Sequence, residues 1–561
     1  MADARARNAP RRDSPPGHTP PRDAPPRNAP PRRGRGTPGG RASASDAPPA
    51  WPSLGLALLA FVGYAAGAGT VSADKDSSEF TLVLASLGVA HPTGYPLHTL
   101  LGHVFVRAMH ALGAGGAQAA ALWSAFAGAA AVGLLHALCS RWLIARDVPQ
   151  PRAWIVAFLP PLLFGLNPVW TLEATVAEVG AFHVAWLALA VLLADVTMKR
   201  PGGMSVRRAA LTGVALGAGL AHHLSSVLWL GPLVAVLWPR MASGGARANG
   251  AFVAGLATLP LAGVAFVSWR AWHPAAIQWP LLEPSLASVW DHVSGAQYRH
   301  YLGRFAPSAS QASLFMRFVL PLLPLALAGL VLASFQGARP ARSPIARALL
   351  LSGVAQTLFA FAYGVPDPVS YFLPVLAIGL ASVPGGVLAW STAARHAGPL
   401  KAIAAVAIAV VMPAWLGLAA ERRATFARFD ALVRSMWERI PDEPGFVLWG
   451  DDMSHKLREY QLLDGRGRAL TVVDPVLLAH RVARERFARE HGVEAFSGAA
   501  LPPLPDPVAT AAFTDSVARR LNAVTPLPVY VFDPAQPSVR RLMKPGGVTA
   551  PSGTADPAPR P

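Results

Sequence analysis

The chain has 561 residues, of which 52% are hydrophobic and only 14% are charged, against about 25% charged residues in soluble domains. Its formal net charge is +18, and in so apolar a chain an excess of basic residues indicates membrane topology rather than nucleic-acid binding. The single cysteine, Cys139, excludes an internal disulfide.

Residues 1–50 form a tail rich in Pro, Arg, Ala and Gly, with almost no side chains that build a core. This composition predicts a disordered basic arm. The positive-inside rule places the arm in the cytoplasm, and contact with anionic lipid headgroups is an alternative role. The tail is too long and too proline-rich for the n-region of a signal peptide.

Residues 51–420 contain repeated apolar runs of about 20 residues, which predict an all-α polytopic membrane body of about eleven transmembrane helices. The predicted spans are 53–71, 117–140, 153–172, 181–197, 209–221, 224–238, 251–268, 313–335, one that ends before 365, 369–390 and 402–420. A cytoplasmic N-terminus then puts most basic short loops on one side of the membrane. The acidic and histidine-bearing loops fall on the other side. A single tilted helix over 209–238 would invert the later spans, so we favour two.

The first outer segment, 72–112, concentrates polar chemistry. Asp76 and Glu79 are three residues apart and share one face of a helix, as suits general-base work or cation binding. His91 and Tyr95 follow in the stretch His-Pro-Thr-Gly-Tyr-Pro, which the two prolines stiffen. Residues 97–112, which include Arg107, predict an amphipathic helix along the outer surface. A solvated turn between helices is the alternative for the loop.

Residues 421–540 regain charge and alternate short apolar strands with helical patterns. Strands are predicted at 445–452, 469–475 and 527–534, and helices at 454–463, 476–490 and 513–523. This order predicts a small periplasmic α/β domain with a parallel sheet. Residues 541–561 are again rich in Pro and Gly, which predicts a disordered tail.

The stretch "DSSEFTLVLASLGVAHPTGYPL" is the first of four motifs that resemble a family of bacterial and eukaryotic membrane proteins. That family was long uncharacterised and includes the eukaryotic plexin-type protein O-mannosyltransferase. Thr93 stands where the signature of the family usually has a second Pro. "ATVAEVGAFH" (174–183) carries Gly180 in place of a Tyr. "GLAHHLSS" (219–226) and "VWDHVSGAQYRHYL" (289–302) complete the resemblance, which covers about residues 55–305.

The resemblance implies a GT-C glycosyltransferase, a multi-spanning enzyme that uses a polyprenyl-phosphate sugar. In that class a carboxylate of the first outer loop acts as the catalytic base, which points to Asp76 or Glu79. The donor phosphate leaves readily, so a cationic clamp replaces a general acid. The candidates for binding the phosphate or the substrate are His91, Tyr95, Arg107, Glu178, His222, His223, Tyr298 and Arg299.

The resulting hypothesis is a glycosyltransferase of the bacterial inner membrane that moves a sugar, with mannose as the candidate, onto an acceptor hydroxyl at the outer face. Its partners would be membrane lipid, a polyprenyl-phosphate sugar and a protein or glycan acceptor, with no nucleic acid, cofactor or metal. Asp76, Glu79 and His91 have the chemistry of a divalent-cation site, yet a lipid phosphosugar lacks the diphosphate that usually recruits one. The alternatives are a transporter or flippase of lipid-linked saccharides, and a non-catalytic anchor for the α/β domain.

Overall fold

The computed structural model describes residues 50–72, 76–200, 202–275, 277, 281–303, 307–334, 344–365, 367–390, 397–450, 453–479, 481–494, 507–533 and 538–544. These residues lie in one compact unit, Pro48–Pro561. The predicted tails fall outside the described residues, except for Ala50 and 541–544. The structure is mostly helical with one small sheet near the C-terminus, as the sequence predicts.

The membrane body contains sixteen α-helices among the described residues and the first part of a seventeenth. They are α1 Trp51–Gly67, α2 Ser77–Ser86, α3 Pro96–Ala111, α4 Gly116–Ile144, α5 Gln150–Ala157, α6 Leu159–Gly165, α7 Pro168–Glu173, α8 Gly180–Lys199, α9 Val206–Gly217, α10 Val227–Ala242, α11 Ala246–Trp272, α12 Leu286–Val293, α13 Ala309–Leu314, α14 Leu323–Ser334, α15 Pro344–Ala362, α16 Leu373–Trp390 and α17 Ala397–Trp437. Short 3-10 turns occur at Leu224–Ser226, Ala296–Tyr301 and Val369–Phe372, and a π-helical turn at Phe315–Val319.

Five described helices are long and apolar enough to cross a membrane, or six if the bent pair Ala309–Val319 and Leu323–Ser334 counts as one span. The five are Gly116–Ile144, Gly180–Lys199, Leu224–Ala242, Ala246–Trp272 and Pro344–Ala362. Helices α1 and Val369–Gly385 are apolar but shorter. The prediction of about eleven full spans therefore stays a prediction, although every predicted span corresponds to helical structure.

Predicted span 153–172 is broken into α5, α6 and α7. Prolines 160, 161 and 168 remove backbone donors and clash with the preceding turn, so one continuous helix cannot form there. Residues 209–238 form two helices, as we favoured. A turn at 218–223 and the 3-10 turn Leu224–Ser226 separate α9 from α10 and place His222 and His223 at their junction.

Helix α9 packs closely against α11 through glycines. A Cβ atom on Gly213 would lie 2.2 Å from the Phe252 carbonyl oxygen, and one on Gly217 would lie 2.1 Å from that of Leu256. The two glycines are four residues apart and form the small-xxx-small pattern that lets membrane helices approach at backbone distance. This contact helps to fix the direction of the chain around the His222–His223 turn.

The C-terminal domain contains α18 Ser454–Leu462, α19 Arg481–His491 and α20 Pro507–Val524, with a 3-10 turn at Leu477–Ala479. Its strands are β1 Gly445–Leu448, β2 Leu470–Val473, β3 Val529–Asp533 and β4 Ser538–Arg541, in the order β2-β1-β3-β4. Strand β1 pairs in parallel with β2 and with β3, as predicted. Strand β4 adds an antiparallel edge that the sequence did not predict.

The sheet is covered on both faces, which explains why β1 is apolar throughout. Phe446 and Leu448 pack with α19 and α20, and Val447 packs against Trp437 and Tyr460 on the other side. Successive side chains of a strand point to opposite faces, so a strand between two helical layers needs a continuous apolar run. The predicted boundary at residue 421 falls inside α17, because this helix continues from the predicted last span into the domain.

Candidate active site

The centre of the site is a buried pair of Glu79 and His91. Glu79 lies in the first turn of α2 and is 1% exposed. The backbone N–H of His91 donates to Glu79 Oε1 at 2.6 Å, and His91 Nδ1 lies 3.0 Å from Glu79 Oε2. Both carboxylate oxygens are therefore occupied by one residue, which fixes the loop after α2 to the start of that helix.

Asp76 directly precedes α2 and stands on the other side of the imidazole. Its Oδ2 lies 3.7 Å from His91 Nε2, and its side chain is 30% exposed. Asp76 lines a cavity, whereas Glu79 does not. The two carboxylates thus share one face as predicted, but only Asp76 is open to a substrate.

The loop between α2 and α3 brings Tyr95 to the same imidazole. The Tyr95 hydroxyl lies 3.1 Å from His91 Nε2. Gly94 has a φ of +80°, which favours glycine, and a Cβ atom there would lie 3.0 Å from His292 Nε2. Pro96 then starts α3 in the first turn, where its missing N–H leaves no helical hydrogen bond unmade.

Burial and neighbouring charges shift the pKa values of Glu79 and His91 in opposite directions. Burial alone would lower the pKa of His91, but the carboxylates of Glu79 and Asp76 raise it to about 9. Burial alone would raise the pKa of Glu79, but His91 lowers it below its usual value. The pair is therefore ionised at neutral pH, with a cationic imidazole between two carboxylates. Burial raises the pKa of the Tyr95 phenol well above its ordinary value, so Tyr95 stays protonated.

The same three residues have the donor set of a metal site. Ligand atoms of Asp76, Glu79 and His91 lie within 4.8 Å of one another. A cation would have to compete with the hydrogen bonds that His91 makes to both Glu79 oxygens, and ligation requires a deprotonated imidazole. A reaction without metal stays our prediction.

The cavity beside Asp76 has a volume of about 560 Å³ and is lined by two kinds of surface. The polar lining includes Asp76 and His91. The apolar lining includes Val184, Val227, Leu228, Phe359 and Leu373, which belong to helices of the membrane body. A cavity of this kind accommodates a ligand with a polar head and a hydrocarbon tail.

The structure brings most predicted site residues to this cavity. Its lining includes Asp76, His91, Tyr95, Glu178, His223, Tyr298 and Arg299. His222 is buried behind the wall, where its ring packs against those of His98 and His183. Arg107 is exposed on α3 and does not line the cavity, so the structure does not support its predicted role.

Not all of the residues predicted to bind the donor phosphate carry a positive charge. Burial and, to a smaller extent, the nearby cationic His91 together lower the pKa of His223 to about 4, so His223 is neutral at pH 7. Its Nδ1 lies 2.8 Å from the Ser225 hydroxyl. Among the described lining residues, Arg299 and His91 therefore supply the positive charge, and His223 supplies a neutral imidazole.

Several lining residues escaped the sequence analysis. They are Glu173, His183, Tyr301, Tyr363, Asp367 and Tyr371. Tyr301 and His183 lie within the motifs 289–302 and 174–183 but were not singled out. No motif marks Tyr363 and Tyr371, which come from other segments of the chain. Glu173 carried a signal: it lies five residues before Glu178, at the outer end of a predicted span. The structure also explains why a glycine stands at position 180, where the family usually has a Tyr. A Cβ atom there would lie 2.3 Å from Glu173 Oε2 and would clash with it.

Comparison with known proteins identifies the segment that holds most of this site. The family model described as the N-terminal domain of protein O-mannosyl-transferase TMEM260 matches residues 76–243. This segment is therefore similar to the TMEM260 N-terminal domain. It includes the Asp76–His91 segment, Glu178 and the His222–His223 turn, and the motif with Tyr298 and Arg299 lies beyond it. The match confirms the resemblance seen in the sequence.

Solved structures give weaker likenesses. ArnT from Cupriavidus metallidurans bound to undecaprenyl phosphate is 15% identical, with 85% of this chain and 92% of that chain covered and a TM-score of 0.48. The apo state of the same protein is 13% identical over the same shares, with a TM-score of 0.47. No curated protein matches the chain significantly.

Proposed function

We propose that this protein is a membrane glycosyltransferase of the GT-C type that moves a sugar from a polyprenyl-phosphate donor to an acceptor hydroxyl. The observation that carries the proposal is the placement of Asp76. It lines a cavity beside a buried, ionised Glu79–His91 pair, and helices of the membrane body contribute apolar side chains to the lining of that cavity. The match to a family described as protein O-mannosyl-transferase supports the same chemistry and makes mannose the first sugar to test.

The cavity has both polar and apolar lining residues, which suit the two ends of such a donor. The prenyl chain would lie along Val184, Val227 and Leu228, which belong to the membrane-spanning helices α8 and α10. The phosphate would lie near Arg299 and His91, whose charges offset its negative charge. Tyr298 and Tyr371 offer ring faces and hydroxyls to a sugar between these ends.

The transfer requires one base and no general acid. Asp76 accepts the proton of the acceptor hydroxyl while the hydroxyl oxygen attacks the anomeric carbon. The bond between that carbon and the phosphate oxygen breaks, and the lipid monophosphate leaves with its electron pair. Cationic His91 and Arg299 stabilise the charge on the leaving phosphate. A single displacement of this kind inverts the configuration at the anomeric carbon.

Glu79 has a supporting role in this scheme. Both its oxygens bind His91, so it cannot reach an acceptor without breaking that pair. Its negative charge keeps His91 protonated, as the raised pKa of His91 requires. Glu79 therefore orients and charges the imidazole, and Asp76 is the base.

The reaction would take place at the outer face of a bacterial inner membrane, with the N-terminus in the cytoplasm. Two observations support this orientation. The cavity lies at the starts of α8 and α10, and the opposite ends of α4 and α8 carry the basic residues Arg141 and Lys199, both paired with Asp195. Basic residues are enriched at the cytoplasmic ends of membrane helices. The C-terminal domain packs near the cavity end and would therefore lie on the same, extracytoplasmic side.

The test is sugar transfer by purified protein in nanodiscs. Polyprenyl-phosphate carrying radiolabelled mannose would be the donor, and membranes of a deletion strain would supply unmodified acceptor. We expect Asp76→Asn to lower the transfer rate by about 10²–10⁴-fold, as the loss of a general base does. Asp291→Asn is the matched control, because Asp291 is exposed on α12 and does not line the cavity.

Two results would contradict the proposal. Transfer that is equal in wild-type protein and the Asp76→Asn variant would remove Asp76 as the base. A wild-type protein that moves the intact lipid-linked sugar between leaflets, without transferring it, would indicate a flippase instead.

A further inference from the structure

Lys456, in the C-terminal domain, has an environment unusual for a lysine. It lies in the first turn of α18 and is 1% exposed. Its Nζ is 2.6 Å from Asp430 Oδ1 on α17 and 3.5 Å from Glu459 Oε2 on α18. A buried ammonium group is costly unless it is paired, and the two carboxylates provide that pairing.

The third partner of Lys456 lies in the membrane body. The ammonium group donates to Ser72 Oγ at 3.2 Å, across a sequence separation of 384 residues. Ser72 follows α1 and also donates to Glu459. Its hydroxyl lies 2.7 Å from that of Ser78, which is in the first turn of α2 beside Glu79. A continuous chain of buried hydrogen bonds thus joins Lys456 to the start of α2.

Other contacts place the same part of the C-terminal domain at the cavity. Helix α18 packs directly against α2. Met453, just before α18, and Val476, just after β2, line the cavity together with Asp76. Buried His455 lies near enough to Glu79 for its charge to contribute to the lowered pKa of that carboxyl.

The chemistry of the network favours positioning over simple adhesion. Apolar side chains of similar volume would often hold two surfaces together at least as well as a buried ion pair. Hydrogen bonds between charged groups and a serine instead require one relative placement of the partners. Here the placement is that of α18 relative to Ser72 and Ser78, on either side of Asp76 in the chain.

We infer that Lys456 is a positioning residue for the reaction, and that the C-terminal domain is a structural part of the active site. Lys456 holds the start of α2 through Ser72 and Ser78, so that Asp76 stays beside His91 and faces the cavity. The inference rests on the proposed function for its catalytic consequence. Its structural content, the restraint of residues 76–91 by α18, is independent of the reaction.

The experiment compares two identical substitutions in one domain. Lys456→Met removes the charge that binds Ser72. Lys544→Met removes a charge that binds the carbonyl oxygens of Asn522, Thr525 and Leu527, all in the C-terminal domain. We expect Lys456→Met to lower kcat about 10²-fold with little change in the KM for polyprenyl-phosphate mannose, since a small misplacement of a reacting group has an effect of that size. Lys544→Met should leave both constants near wild type.

Hydrogen–deuterium exchange of the same proteins gives a readout that does not depend on activity. Lys456→Met should accelerate amide exchange in residues 77–91, and Lys544→Met should not. Lys456→Arg, which retains the charge, should recover most of the protection. If Lys456→Met fails to fold, Ser72→Ala replaces it, because it removes the hydrogen bonds to α18 without leaving a charge unpaired.

The outcomes separate the two proposals. Unchanged exchange over residues 77–91 in Lys456→Met, or in Ser72→Ala where that variant replaces it, would overturn the inference, as would equal losses of kcat in the two methionine variants. Faster exchange with the expected loss of kcat supports it. If wild-type protein transfers no sugar, the proposed function fails, and the exchange data still decide whether Lys456 restrains α2.

Discussion

His91 should carry its positive charge well into the alkaline range, and this gives the reaction a pH limit. We expect kcat/KM to fall as the pH rises through about 9, where the imidazole loses its proton and its attraction for the donor phosphate. Glu79→Gln removes the negative charge that does most to raise this pKa. The alkaline limb of the profile should then move to lower pH. Rates of the purified protein over pH 6–10 provide the measurement.

The same ionisation contributes to stability with a defined sign. The pKa of His91 in the folded protein lies above its ordinary value of 6.5, so the folded state binds the proton more tightly. The stabilisation is therefore fully present below pH 6.5 and is lost as the pH rises through about 9. For the prediction on kcat/KM, an alkaline limb of the pH–rate profile that stayed in place in Glu79→Gln would show that a group other than His91 sets it.

At the scale of residues, the sequence predicts the local part of the site well. Asp76, Glu79, His91 and Tyr95 lie within twenty residues, so helix periodicity and two prolines suffice to bring them together. The sequence does not show which carboxylate is the base and which one binds His91. That distinction depends on the exposure of Asp76 and the burial of Glu79, which are set by how α18 and the cavity lie around α2. Tyr363 and Tyr371 join the site through tertiary packing that leaves no local pattern.

Among the elements, the contact of α9 with α11 allows a test of close helix packing. Gly217→Ala would place a Cβ atom 2.1 Å from a backbone oxygen, which cannot move as a side chain can. We expect this substitution to destabilise the protein by about 1–3 kcal/mol, as overpacking does. The melting temperature in detergent should fall accordingly.

Gly250→Ala in α11 is the matched control for this prediction. A Cβ atom there meets no atom within 4 Å, and alanine is the better helix former by about 1 kcal/mol. The control should therefore leave the melting temperature unchanged or raise it. Equal decreases in both variants would mean that helix α9 does not pack as described.

The elements of the C-terminal domain were easier to predict than those of the membrane body. Strands β1, β2 and β3 follow from short apolar runs between helical patterns. Strand β4 escaped prediction because Ser-Val-Arg-Arg contains one apolar residue, and its pairing with β3 alone makes it a strand. In the membrane body, hydropathy marks each apolar run but does not show that prolines divide 153–172 into three helices.

At the scale of the whole molecule, the structure connects two regions that the sequence treats as separate. Composition changes near residue 421, which suggests a boundary between an enzyme and an appended domain. Helix α17 crosses that point without a break, and α18 packs on α2. Such contacts between distant parts of the chain arise from the fold as a whole, which explains why the role of residues 421–540 could not be read from their own pattern.

The orientation of the molecule in the membrane gives the last prediction. Helix α10 starts at the cavity, and its 16 residues span about 24 Å before Ser243. Leu462 is exposed on α18, in the domain beside the cavity. We expect a membrane-impermeant maleimide to label Leu462→Cys in spheroplasts, and Ser243→Cys only after detergent is added. The wild type, whose single Cys139 is buried, provides the unlabelled baseline. Labelling of Ser243→Cys in intact spheroplasts would place the basic helix ends outside and the proposed site in the cytoplasm.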